Sequence, residues 1–387
     1  MPSTALLNEY FNAPHPRVGA FFFALGPCAS SWEVGAAAAR ATPMKALLLQ
    51  APSQLALVDF PDPQPAADEV LLRIRACGIC GSDIHGWDGS SGRRHPPLIM
   101  GHEAAGEIAA VGASVSDWRV GERVTFDSTI FCGRCDDCRA GRVNLCAHRR
   151  VVGVAPAEYR QHGAFAEYLA LPARILCRLP AGLSFEHAAM VEPVSIALHA
   201  VQRVEVAPTA TAVVVGSGMI GLFVVQALRW AGARRIIAVD REPKRLALAR
   251  ELGATDTLQT GECDVAAEVA RLTGGAGADL AFEVVGVSAT LQLALACLRR
   301  GGAAVLVGNL APAVDFPLQA VVTRELTLHG SCGSAGEFPL ALDLITRGAI
   351  RVAPLIGAVA PLTEGVNWFK RLSAPDGGQH MKVILQP

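Results

Sequence analysis

The 387-residue chain carries 34 Lys and Arg against 35 Asp and Glu, a formal net charge of −1, and 51% of it is apolar. That balance excludes the basic field that holds nucleic acid or an anionic membrane, and the composition is too apolar for a disordered chain. No apolar run is long enough to span a bilayer, so the expectation is a soluble, cytoplasmic, globular protein of two or more domains.

Residues 1–43 show no sustained periodicity and include Pro14, Pro16, Pro27 and Pro43. Only Arg17 precedes the Phe21–Phe23 patch, which argues against a signal peptide. The segment reads as a flexible leader or as the product of a start codon upstream of Met44. From Met44 to about residue 190, short β segments such as 69–75 and 104–108 are broken by Gly and Pro. This is the texture of a compact, barrel-like β unit. From about residue 193 strands at 212–215, 235–239, 280–284 and 303–307 alternate with helical runs at 222–231, 243–252 and 289–299. That alternation predicts βαβ units and a doubly wound parallel sheet.

Gly216-Ser217-Gly218-Met219-Ile220-Gly221 follows an apolar strand and opens a helix. Its glycines allow a tight turn and close approach of the backbone to a pyrophosphate, which the helix N-terminus favours. Asp240 ends the next strand, nineteen residues after Gly221, where an acid accepts hydrogen bonds from ribose hydroxyls. It repels a 2′-phosphate, so NAD is expected over NADP, although Arg241, Lys244 and Arg245 follow closely. Val307 and Gly308, ending a later strand, are assigned to the same cofactor site.

Two metal constellations stand out. Cys80 with His85 a few residues on, and then His102-Glu103, bring together a thiolate, imidazoles and a carboxylate, a donor set that suits zinc. Three protein ligands leave a fourth position open to water or substrate. Cys132, Cys135, Cys138 and Cys146 form a C-x2-C-x2-C-x7-C array. Four thiols close a tetrahedral shell, so this site is expected to be structural. Asp136 and Asp137 offset the neighbouring arginines, which argues against a nucleic-acid-reading module.

Taken together, Cys80-Gly81-Ser82-Asp83-Ile84-His85, Gly101-His102-Glu103, the four-Cys array, Val191-Glu192-Pro193 and the glycine motif resemble the zinc-dependent medium-chain dehydrogenase/reductases. Within them the similarity is to the sorbitol (L-iditol) and related polyol dehydrogenases. The resemblance covers Met44 to Pro387. It implies a discontinuous GroES-like catalytic domain (44–191 and 332–387) around a Rossmann NAD-binding domain (192–331). It also implies two zinc ions per chain and a homodimer or homotetramer. By position, Cys80, His102 and Glu103 match the catalytic zinc ligands. Glu192 matches an acid that binds the zinc-held water or the metal itself, and Ser82 and His85 match a proton relay.

The implied reaction is reversible oxidation of a secondary alcohol of a polyol or sugar-derived substrate. Two departures bear on the substrate. Gly333 and Ser334 stand where sorbitol-type enzymes carry an Arg-Tyr pair, and Gly86 replaces an aromatic residue beside His85. L-threonine 3-dehydrogenase or 2,3-butanediol dehydrogenase activity therefore stays open, as does, outside the enzyme class, an NAD-binding sensor on the same fold.

Overall fold

The computed structural model describes residues 43–374 and 380–387. Apart from Pro43, the expected leader at residues 1–43 lies outside the described residues. Among those described, no helix is long and apolar enough to cross a membrane.

The strand Glu69–Gly78 organises the β-rich part. Val70, Leu72, Ile74 and Ala76 are buried while Arg73 and Arg75 turn outward, the two-residue period of a sheet with one face on a core. It pairs antiparallel with Glu103–Val111 on one edge, and with Tyr168–Pro172 and Lys382–Gln386 on the other. Ile356–Pro361 runs parallel to Lys382–Gln386 and extends the sheet. The sheet is therefore discontinuous in sequence, as in a GroES-like catalytic domain. A three-stranded sheet of Gln54–Phe60, Met44–Ala51 and Leu98–Ile99 contributes Leu47 and Leu49 to the same core.

The second half is a six-stranded, all-parallel sheet. Its spatial order is Asp256–Gln259, Arg235–Asp240, Thr211–Val215, Ala278–Glu283, Leu298–Leu306 and Thr327–Gly330. Numbered along the chain this is 3-2-1-4-5-6. The order reverses between Thr211–Val215 and Ala278–Glu283, the switch point at whose carboxyl ends a dinucleotide binds. Thr211–Val215 carries four buried residues in a row, as expected of a strand covered on both faces. Helix Met219–Trp230 packs into one core with helix Val191–Gln202.

Helix Phe338–Thr346 also packs against Val191–Gln202, and Phe338, Leu344 and Leu355 join the core of the parallel-sheet half. Among the described residues, pairing with the catalytic sheet resumes at Ile356–Pro361.

Candidate active site and metal centres

Cys80 is the N-cap of helix Gly81–Trp87. Its N–H donates to the Asp83 carboxylate at 3.1 Å, which fixes the entry to the helix. Ser82 and His85 follow on the same helix, Ser82 half-buried and His85 exposed. Cys80 and His85 line one cavity of about 380 Å³ with Leu372, His380 and Met381. Glu103 opens strand Glu103–Val111, which pairs with the end of Glu69–Gly78, and His102 lies in the turn just before it. Gly101 makes that turn at φ +92°, and a Cβ there would fall 2.8 Å from Cys77 Sγ. The ligand atoms of Cys80, His102 and Glu103 all lie within 4.8 Å of one another.

Charges behind this triplet are balanced by residues to which the sequence reading gave no role. Asp83, fully buried, lies 3.5 Å from His102 Nδ1 and 3.3 Å from an Arg94 guanidinium nitrogen. Burial raises the Asp83 carboxyl, but His102 and Arg94 outweigh it and hold the group at about 2. Burial lowers His102, yet Asp83 and Cys80 carry it well above its ordinary value. An acid behind one imidazole nitrogen, with the other turned to a thiolate, is how ligating histidines are oriented. Glu103 pairs with the buried ammonium of Lys382, which also donates to the Ile79 carbonyl at 3.1 Å.

Glu192, in the first turn of Val191–Gln202, stands outside the triplet; its carboxylate accepts from the Ser128 hydroxyl at 3.4 Å. Burial pushes its carboxyl up to about 7, with Glu103 and Asp127 adding and His102 and Lys382 opposing.

Cys132, Cys135, Cys138 and Cys146 converge in the same way, every Sγ within 4.8 Å of the others. The backbone N–H groups of Arg134 and Cys135 point at Cys132 Sγ from 3.5 and 3.4 Å and lower this thiol to about 6. Cys138 is pushed up to about 12, chiefly by desolvation and then by its neighbouring thiols. Four sulfurs, one already stabilised as thiolate, fit a closed zinc site.

The glycine motif lies at the switch point. Gly216 has φ +101°, and a Cβ on Gly221 would sit 1.8 Å from the Gly216 carbonyl oxygen, so only glycine lets this helix approach its strand. Open space lies over Gly218, N-cap of the helix that begins with Met219 and Ile220, where a pyrophosphate needs room. Asp240 accepts the Ser217 N–H at 2.7 Å and the Glu242 N–H at 2.9 Å. Arg245 turns to Asp240 at 3.9 Å and Arg241 pairs with Glu242 at 3.6 Å, which draws both cations toward acids of the protein. Val307 and Gly308 both donate to the Glu283 carbonyl, at the carboxyl ends of adjacent strands.

At the crossing between halves, Gly333 has φ +64° and Ser334 is buried. Asn144, from the four-Cys lobe, donates to the Cys332 carbonyl at 2.7 Å and contacts His199 at 3.3 Å; His199 in turn pairs with Glu337 at 2.7 Å. Nothing in the local sequence signals this bridge. Its members are single polar residues far apart in the chain.

Residues 66–181 match the alcohol dehydrogenase GroES-like domain and residues 220–347 the zinc-binding dehydrogenase domain. Sorbitol dehydrogenase of Bacillus subtilis is 36% identical, covering 89% of this chain and 97% of its own length. D-arabitol-phosphate dehydrogenase of Enterococcus avium is 34% identical with the same coverages. An alcohol dehydrogenase of Escherichia coli CFT073, solved with NADH, superposes with a TM-score of 0.82 at 30% identity, covering 89% of this chain and all of that one. The chain belongs to the zinc-binding dehydrogenases of the medium-chain dehydrogenase/reductase family.

Proposed function

We propose that the protein oxidises a secondary alcohol of a polyol or sugar alcohol to a ketone, with NAD as hydride acceptor, at the site built by Cys80, His102 and Glu103. The carrying observation is the convergence of that thiolate, imidazole and carboxylate in a chain that also holds a 3-2-1-4-5-6 parallel sheet with an open glycine turn. Zinc at the triplet supplies Lewis acidity to the alcohol oxygen, and NAD at Gly216–Gly221 with Asp240 supplies the hydride acceptor. The four-Cys lobe takes a second, structural zinc.

The remaining steps belong to the chain's own residues. Ser82, half-buried, accepts the alcohol proton as its own hydroxyl hydrogen is handed on toward His85, exposed on the same helix face, which releases a proton to solvent. Glu192, at about 7, exchanges a proton near neutrality and offers a second carboxylate to a many-hydroxyl substrate. Glu103 pairs with Lys382, and Asp83 holds the ring of His102. We take the enzyme to be a cytoplasmic homo-oligomer, which light scattering on the purified protein checks.

Gly333 and Ser334 in place of an Arg-Tyr pair keep short diols and hydroxy-amino acids in contention. The test is an NAD-reduction panel at fixed pH over sorbitol, xylitol, arabitol, their phosphates, sugar acids, 2,3-butanediol and L-threonine. Turnover confined to polyols supports the reading. Turnover of L-threonine alone, or none with zinc and NAD bound, overturns it.

A further inference from the structure

Gly86 sits on helix Gly81–Trp87, one residue beyond His85. A Cβ built there falls 2.0 Å from Cδ and 2.8 Å from Nε of Arg94. No other residue at 86 leaves the arginine where it is. Arg94 itself is 7% exposed, and one Nη donates to Ser82 Oγ at 3.0 Å and lies 3.3 Å from Asp83. Its Nε is buried without a hydrogen-bond partner. An incompletely satisfied buried cation is a poor source of stability, so its placement calls for another account.

We propose that Arg94, seated in the space Gly86 leaves open, is a positioning residue that orients the Ser82 hydroxyl for proton transfer. The proposal rests on the functional reading above. A serine oxygen has two lone pairs and one hydrogen. The guanidinium occupies one lone pair, leaving the other to accept the alcohol proton and the hydroxyl hydrogen to be handed onward. Without the arginine the hydroxyl loses its fixed donor and rotates, and the productive arrangement becomes a minority. Arg94 also shares Asp83 with His102, so the carboxylate behind the ligating ring is never an uncompensated charge.

The experiment measures kcat and KM at saturating NAD with D-sorbitol, or with the fastest alcohol of the panel if another is better. Zinc content and melting temperature are recorded on the same samples. Arg94→Met is expected to lower kcat about tenfold with KM within about twofold, the size of a general-catalysis defect. Zinc per chain stays at the wild-type value. Arg94→Lys restores part of the loss, and Gly86→Phe, which expels the arginine, reproduces it. On a Ser82→Ala background, Arg94→Met adds less than about twofold, because residues acting as one unit are not additive.

Wild-type kcat in folded Arg94→Met, or a full tenfold loss on the Ser82→Ala background, overturns the proposal. So does a loss that tracks zinc content or folded fraction. Should Arg94→Met not fold, Arg94→Lys and Arg94→Gln carry the same comparison. Cys80→Ala separates the two readings. If it retains turnover, the functional reading fails; if it is inert while Arg94→Met is normal, only the role of Arg94 fails.

Discussion

The two metal centres are built from opposite materials. The triplet of Cys80, His102 and Glu103 hangs on a ten-residue strand, its neighbour and the N-terminus of a helix, and its charges are met by Asp83, Arg94 and Lys382. The four-Cys site hangs on a four-residue helix, a three-residue 3-10 turn and loops, with Cys132, Cys135 and Cys138 only half-buried. In the first, a prior scaffold holds the ligands and leaves chemistry to the ion. In the second, little regular structure carries the ligands, and the Asn144 bonds tie the lobe to the rest of the chain. Three donors with a layered background make a reactive centre; four donors with almost none make a rivet.

Substitutions sharpen that contrast. The largest effect is expected at the triplet. Cys80→Ala or His102→Ala lowers turnover about a thousandfold, the several kcal/mol a Lewis acid contributes, with little change in the thermal melt. Unaltered turnover in either would break the distinction. Next comes the background layer. In the metal-free protein Lys382→Met leaves Glu103 buried without its counter-ion and destabilises the fold by about 3 kcal/mol in urea unfolding, with Lys382→Arg recovering most of it. Then the lobe: Cys135→Ala lowers Tm by about 5 °C and opens residues 132–146 to limited proteolysis, while zinc at the triplet is retained. A variant that loses both zinc ions together would show that the centres are not independent.

The smallest effect concerns pH. Burial raises the Asp127 carboxyl from its ordinary 3.8 to about 6, against a hydrogen bond from the Thr129 N–H at 2.8 Å. The folded state therefore binds the proton more tightly than the unfolded chain does. The stability this contributes is complete below 3.8 and is lost as pH rises through about 6. Asp127→Asn keeps the acceptor and removes the ionisation. It flattens the stability profile between those pH values and gains about 2 kcal/mol at pH 7.

The division between strong and weak local signals also decides which parts of the fold are legible in the sequence. Thr211–Val215 and Ala278–Glu283 are buried on both faces, so their composition alone announces a parallel sheet. Asp256–Gln259 is half-buried throughout and Thr327–Gly330 lies at the far edge; neither carries an apolar run, and neither was foreseen. Cys80, His102 and the four cysteines stand out because thiols and imidazoles are chemically rare and closely spaced. Lys382 and Arg94 do not. A lone cation on an apolar strand, or one of two arginines in a loop, carries no local mark of the carboxylate it will meet. Asp83 lay in plain view within the Cys80–His85 motif, but its partner His102 comes from the turn before strand Glu103–Val111.

Lys382 follows Glu103 by 279 residues. At about 5–20 residues per second, some tens of seconds separate the emergence of the acid from that of its counter-ion during translation. Throughout that interval the ammonium that pairs with this carboxylate in the folded protein is missing. The apolar strands on either side therefore cannot close over it without penalty. Sealing this interior before the late chain arrives would bury an unpaired charge.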